Sequence, residues 1–362
     1  MPPRVPRNIH QASASYLVWL RGHIPLLNAD LKLKSVHMRE DPFKFLRATF
    51  YRWAQIFPQV CPTLMDAKEV LGVGDLHVEN FGTWRDAEGR LVWGVNDFDE
   101  TARVPYTVDL VRLTASAMLA QSDGQLHLAA HDVARSILTG YVAALKSGGA
   151  PIILAEDHVE LRAMAAHRLR DPGIFWRKLE GALEWRDTIP SAVRKVLRKA
   201  LPSKRLPFRV LHRSAGLGSL GRRRFTVVGE WDGAKIAREA KELAPSAWRL
   251  SGVTGGTDKI LYAQILKKAI RCPDPFLMVK GKWVFRRLAP DCSRIELSSL
   301  PQEHDAELLL ESMGWETANI HLGSASAKAL LSDLKKRKAK WLETASDAMV
   351  NATCKDWKSW KS

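Results

Sequence analysis

Apolar residues recur three and four positions apart from about Gln11 to Gln55 and from Val108 to Arg198, including the regular run Ala129–Leu145. That spacing puts them on one face of a helix and predicts amphipathic helices packed into a helical lobe. Leu91-Val92-Trp93-Gly94-Val95 is instead a continuous apolar run of strand length, preceded by the turn formers Gly82, Asp86 and Gly89. A β-hairpin is expected there, returning the chain after Val95 to the side of Asn80. Between Pro207 and Leu297 the strand-like runs Arg224–Val228, Phe276–Val279 and Trp283–Leu288 alternate with Gly and Pro turns, which predicts a smaller β-rich lobe. From Gln302 to about Ala345 the pattern is helical again, and Ala306–Leu322 is expected to return to the first lobe. The reading is an α+β chain in two lobes: residues 1–205 mainly helical, 206–300 β-rich, and 301–362 helices rejoining the large lobe. No internal repeat or low-complexity segment interrupts it.

The hairpin matters because of the residues at its two ends. Gly74-Asp75-Leu76-His77-Val78-Glu79-Asn80-Phe81 precedes it and Asn96-Asp97-Phe98-Asp99 follows it. Phosphoryl transfer asks the protein mainly for positioning and charge neutralisation: an Asp to orient the attacking hydroxyl, and oxygen ligands for Mg²⁺ near the γ-phosphate. Asp75 has the place of the base, Asn80 and Asp97 those of the metal ligands. The triplet Asp75-x-His77 also suits a dinuclear metallophosphatase, but the later histidines, among them His127, His131, His158, His212 and His321, are scattered singly. His77 reads as a residue that pins the loop.

A second signal lies about 140 residues further on. Gly216-Leu217-Gly218-Ser219-Leu220-Gly221 fits G-x-G-x-x-G and is followed by the strand-like Arg224–Val228, which favours a phosphate-covering hairpin over a dinucleotide fold, where a long helix would follow. Lys241 is placed to be the strand lysine that pairs with α- and β-phosphates, with Lys235 as competitor. Kinases carry the glycine loop and lysine ahead of the catalytic loop, so this order implies a circular permutation, which leaves a packed core and site geometry intact when termini lie close together.

Together with Met38–Arg47, Asn96–Thr101, Asp109-Leu110-Val111-Arg112-Leu113 and Lys241-Glu242, these segments resemble the bacterial domain-of-unknown-function 2252 family, a kinase-like group similar in motif to the aminoglycoside and choline phosphotransferases. The resemblance implies a two-lobed protein-kinase-like fold, with Asp75 as catalytic base, Asn80 and Asp97 as Mg²⁺ ligands, and Lys241 with Gly216, Gly218, Ser219 and Gly221 on the phosphates of ATP. Asp99 is either a second-metal ligand or the closure of the Glu100-Thr101 turn. Asp109 sits at a helix start, where a carboxylate satisfies free N–H groups, and is expected to support the catalytic loop. Three departures stand out: no Glu between Thr257 and Arg271 to pair with Lys241, no Arg directly before Asp75, and no activation segment between Asp97 and Asp109. The expected acceptor is a small molecule.

Charge supplies a rival reading. With 55 Lys and Arg against 39 Asp and Glu, the chain carries a formal +16, and the clusters Arg194–Lys199, Lys204-Arg205, Arg222–Arg224 and Lys335–Lys338 suit a pseudokinase-like scaffold for nucleic acid or another polyanion. None matches a nucleic-acid-binding motif, and Arg222–Arg224 border the glycine loop, where they would instead serve a nucleotide or acidic substrate. No apolar run is long enough to span a bilayer and Met1–Arg7 does not open a secretory signal, so a cytoplasmic enzyme without membrane contact is expected. Cys61, Cys272, Cys292 and Cys354 lack zinc spacing and read as reduced thiols.

Overall fold

The computed structural model describes residues 8–122, 128–154, 158–168, 171–253, 257–292 and 303–362. His127, the Met1–Arg7 start and the end of the strand-rich stretch toward Leu297 lie outside these. The chain is α+β, with antiparallel sheets joined to a larger helical body.

Four helices open the body: α1 (Ile9–Arg21), α2 (Asn28–Glu40), α3 (Pro42–Ala48) and α4 (Phe50–Val60). Local chemistry sets their starts. The Asn8 side chain accepts from the Gln11 N–H, and Asp41, just before Pro42, accepts from the Lys44 N–H at 2.7 Å. Strand β1 (Glu69–Gly72) pairs antiparallel with β4 (Ala102–Pro105), and between them β2 (Phe81–Arg85) and β3 (Leu91–Val95) form the expected hairpin, extended by β5 (Ile152–Ile153). From β4 the chain enters α5 (Tyr106–Ser122), buried from Tyr106 to Ala120, and then α6 (Ala130–Ser147), which ends at Gly148 with φ 87°.

Two glycines decide how α6 meets α11 (Glu303–Leu322). A Cβ at Gly140 would lie 1.8 Å from the Glu311 carbonyl oxygen, and one at Gly314 would lie 2.0 Å from that of Ile137. The helices touch backbone to backbone, and α11 returns to the large helical body beside β1 and α5. Helices α12 (Ala327–Leu334) and α13 (Trp341–Lys361) complete that body. Arg52 of α4 is tied to Asp356 of α13 at 2.7 Å.

The second unit is a five-stranded antiparallel sheet in the order β6 (Arg209–His212), β7 (Arg224–Trp231), β8 (Ala234–Glu242), β10 (Trp283–Leu288), β9 (Met278–Lys280). After α7 (Val159–Arg168) come α8 (Pro172–Glu180) and α9 (Ser191–Lys199), which the apolar pattern groups with the first lobe. They pack on this sheet instead. Val193, Val196 and Leu197 of α9 cover Phe225, Val227 and Ala240, and Phe175 and Leu179 of α8 cover Leu211, Val228 and Leu288. The basic residues Arg194 and Lys195 of α9 are exposed. Helix α10 (Tyr262–Lys268) links β8 to β9. Among the described residues no helix is long and apolar enough to cross a membrane.

Gly314→Val places two methyl groups into the backbone contact with Ile137. We expect a loss of about 1–3 kcal/mol or more, typical of overpacking, read as a lower denaturant midpoint with unchanged slope.

Candidate functional site

Beyond β1 the chain turns at Gly74, whose φ of 82° and whose approach to the Glu100 carbonyl, 2.3 Å from a Cβ built there, exclude a side chain. The Asp109 carboxylate accepts from the Val73 N–H at 2.7 Å and the Gly74 N–H at 2.8 Å, so the N–H groups it satisfies belong to the loop and not to the start of α5, as its position suggests. His321 Nε2 lies 3.0 Å from the same carboxylate, and the His321 Nδ1 is 2.8 Å from Tyr141 Oη. The loop then winds into a short 3₁₀ turn, Val78–Asn80. Asn80 Oδ1 accepts from the His77 N–H at 2.9 Å and His77 Nδ1 from the Glu79 N–H at 3.2 Å, so His77 does pin the loop. The Asn96 N–H donates to the Asn80 carbonyl at 3.0 Å, which closes the hairpin and leaves Asp97 beside Asn80.

Asp75 is held by an arginine the sequence does not place next to it. Arg112, one turn after Asp109 on α5, donates to Asp75 Oδ1 from Nε at 2.9 Å and also from Nη2. Arg112 is completely buried, donates to the Leu46 carbonyl at 2.9 Å and stacks over the Phe50 and Trp53 rings. Burial pushes the Asp75 carboxyl up to about 7 even with the Arg112 charge opposing it. Gly218 of the glycine loop crosses above the other oxygen: a Cβ there would sit 3.1 Å from Asp75 Oδ2 and 3.1 Å from the Arg47 carbonyl. Lys34 Nζ of α2 holds this loop down through the Gly218 carbonyl at 2.8 Å, and the Leu27 N–H donates to the Gly221 carbonyl at 2.8 Å.

Lys241, on β8, reaches across to the hairpin. Its Nζ lies 3.1 and 3.2 Å from the two Asp97 oxygens and 2.7 Å from Asp99 Oδ1, with only 2 % of the side chain exposed. Burial opposes ionisation of Asp97, yet Lys241, the hydrogen bond with Asp99 and the Arg286 charge outweigh it and hold this carboxyl far below the usual range. Burial and the Asp97 charge push Asp99 the other way. The lysine's acid partners thus come from the hairpin and not from the segment Thr257–Arg271, where Asp258 lies 3.6 Å from Arg249. Lys235 pairs with Glu180 at 2.7 Å on the outer side.

One cleft is lined by Asp75, Asn80, Asp97, Asp99, Gly216, Gly218 and Ser219, with Lys241 bound to its carboxylates. Gly221, with φ 97°, shapes the loop's exit against Leu31 and does not face the cleft. The arginines after it are bound inward: Arg222 to Glu100, Arg223 to Glu242 and Arg224 to Glu239, each at 2.7 Å. All three are paired with buried acids, and Arg222 and Arg224 also line the pockets at the glycine loop. Among the described residues no group of three or more His, Cys, Asp or Glu is arranged to hold a metal by itself. All four cysteines are free.

Residues 26–169 match the model of a family described as an uncharacterized protein conserved in bacteria, DUF2252. The match supports that family. It covers the Asp75 loop, the hairpin and α5, while the glycine loop and Lys241 lie beyond it. No curated protein and no solved structure matches the chain.

Arg112, Lys34 and Glu100 escape sequence reasoning. For Arg112 a signal existed: Asp109 and Arg112, three apart on a helix, share a face, so one residue gripping the loop predicts that the other reaches its tip. Asp109→Ala strands two buried N–H groups and His321. We expect a loss of about 3–5 kcal/mol, as when one member of a buried charged set is removed, measured by equilibrium denaturation.

Proposed function

We propose that the chain is an ATP- and Mg²⁺-dependent phosphotransferase acting on a small-molecule acceptor, built as a circularly permuted kinase-like fold. The observation that carries this is the convergence of Lys241 on Asp97, 144 residues away in the chain, beneath a glycine loop that crosses Asp75. The glycine loop joins the first two strands of the five-stranded sheet and Lys241 stands on the third, the arrangement kinases use to hold a triphosphate. The return of α11 to the large body supports the permutation.

The roles follow from the chemistry of each group. Asp75, with Oδ1 fixed by Arg112 and Oδ2 toward the cleft, is oriented to accept the acceptor's hydroxyl proton, and a carboxyl raised to about 7 suits a base at neutral pH. The backbone of Gly216–Ser219 and the Lys241 ammonium hold phosphate oxygens. Asn80, Asp97 and Asp99 offer amide and carboxylate oxygens, the donors that magnesium accepts when phosphates complete its shell. Bound there, the ion supplies neutralisation of charge on the transferring phosphoryl group. The Lys241 ammonium against these carboxylates supports a pocket suited to positive charge.

Calorimetric titration of ATP with Mg²⁺, with EDTA, and with Asp97→Ala checks this reading. We expect Mg²⁺ to tighten ATP binding and the variant to lose that gain while its circular dichroism is unchanged; equal affinity in all three would overturn it. Asp75→Asn is expected to lower kcat about 10²–10⁴-fold, the usual contribution of a general base, with ATP affinity retained. The wild-type rate should rise as pH passes about 7, where Asp75 loses its proton, and a flat profile across that range would assign the proton elsewhere.

A further inference from the structure

Beside the glycine loop lies a second pocket, of about 110 Å³, that shares Asn96, Asp97 and Gly216 with the cleft around Asp75. Five arginines line it: Arg213, Arg224, Arg271, Arg286 and Arg287. Its floor is the sheet face that carries Lys241. Strand alternation puts Glu239, two residues earlier on β8, on that face, directly across from Thr226 of β7 and Arg286 of β10.

Glu239 is fully buried and serves three guanidinium groups at once. Arg224 Nη1 donates to its Oε1 at 2.7 Å, Arg286 donates to the same oxygen from Nε at 2.9 Å and from Nη2 at 2.7 Å, and Arg213 Nη1 donates to Oε2 at 2.9 Å. One carboxylate neutralises one of three positive charges. Arg271 is held by the Val95 carbonyl at 3.0 Å and the Trp84 ring, and the acid that acts most on it is the buried Glu316, whose carboxyl burial pushes up to about 7. Arg287 is paired with Asp291 at 3.2 Å. Of the lining acids, Asp97 is shared between Lys241 and Arg286, and burial favours the neutral form of Asp274, so positive charge stays in excess over the five guanidinium groups.

A purine on this floor would strip water from the guanidinium groups and return few acceptors, which is unfavourable. A chain of phosphates returns many, in the forked geometry that arginine binds best. We propose that this pocket is a polyphosphate site, in which the phosphate chain of the ligand, and not a base, lies against Arg213, Arg286 and Arg287 and leads past Asp97 toward Asp75. The proposal deepens the nucleotide reading of the cleft, on which it rests. The same chemistry serves a nucleoside triphosphate or inorganic polyphosphate.

Titration calorimetry with tripolyphosphate, ATP and adenosine, in EDTA, tests it on wild type, Arg213→Gln, Arg287→Gln and Asp97→Ala, each checked for an unchanged melting temperature. We expect tripolyphosphate to bind and to compete with ATP, adenosine to do neither, and each arginine variant to weaken tripolyphosphate about tenfold, or 1.4 kcal/mol. The two arginines sit apart on β10 and before the glycine loop, so a folding defect in one leaves the other as a test. Asp97→Ala takes a carboxylate from the rim of this pocket and should not weaken tripolyphosphate binding in EDTA, whereas it loses the gain that Mg²⁺ gives ATP, which separates the two effects. ATP binding much more tightly than tripolyphosphate identifies a nucleotide as the source, and equal affinity identifies polyphosphate itself. Loss of Mg·ATP turnover with this binding intact would sink the proposed function alone. Arginine variants within twofold of wild type, or adenosine binding as well as tripolyphosphate, would overturn the polyphosphate site alone.

Discussion

One carboxylate, that of Asp109, fixes the geometry on which the rest of the site depends. A fully buried charge persists only when hydrogen bonds satisfy it, and here the backbone of Val73 and Gly74 and the ring of His321 do so. Three elements therefore meet at a single point: the end of β1, the first turn of α5 and the last turn of α11. Because α5 is a rigid rod, Arg112 one turn along arrives at Asp75 in a set orientation. Because α11 lies flush on α6 at Gly140 and Gly314, His321 arrives at Asp109. Positioning of the loop is thus inherited from helix packing well away from the cleft.

The two units of the fold present opposite signs where they meet. The hairpin end contributes Asp97, Asp99 and Glu100, and the sheet with its glycine loop contributes Lys241 and Arg222. Buried pairs of this kind add little net stability, since desolvation offsets much of the attraction, but a mismatched arrangement leaves a bare charge and is strongly disfavoured. Their effect is registration: the sheet docks in one way. Lys34 and the Leu27 amide add hydrogen bonds from the N-terminal helices, which hold the glycine loop from outside.

Sequence made the hairpin legible because everything needed is local: turn formers at Gly82, Asp86 and Gly89, an apolar run, and carboxylates at both ends. Asp75, Asn80 and Asp97 converge for that reason. Strand β8 was harder to see, since Ala234–Glu242 is rich in Ala, Lys, Glu and Arg, and pairing with β7 and β10 decides its conformation. Helices α8 and α9 show an apolar face but nothing in a periodic pattern tells against which surface it will pack. Arg222–Arg224 read as a basic surface because their acid partners, Glu100, Glu242 and Glu239, are remote or on the neighbouring strand. Charge clusters in a sequence carry no information on neutralisation in space.

The contact between Lys241 and the Asp97–Asp99 pair has one more consequence. An anion that draws the ammonium away leaves Asp97 and Asp99 short of their shared counterion, with only Arg222 at 3.5 Å from Asp99 and the more distant Arg286 to offset them, and a cation that occupies the carboxylates sets the ammonium loose. Each event completes the conditions for the other, so anion and cation affinities in this cleft are thermodynamically linked, and by the same factor in both directions. The internal ion pair acts as a latch that yields to two ligands of opposite charge more readily than to either by itself.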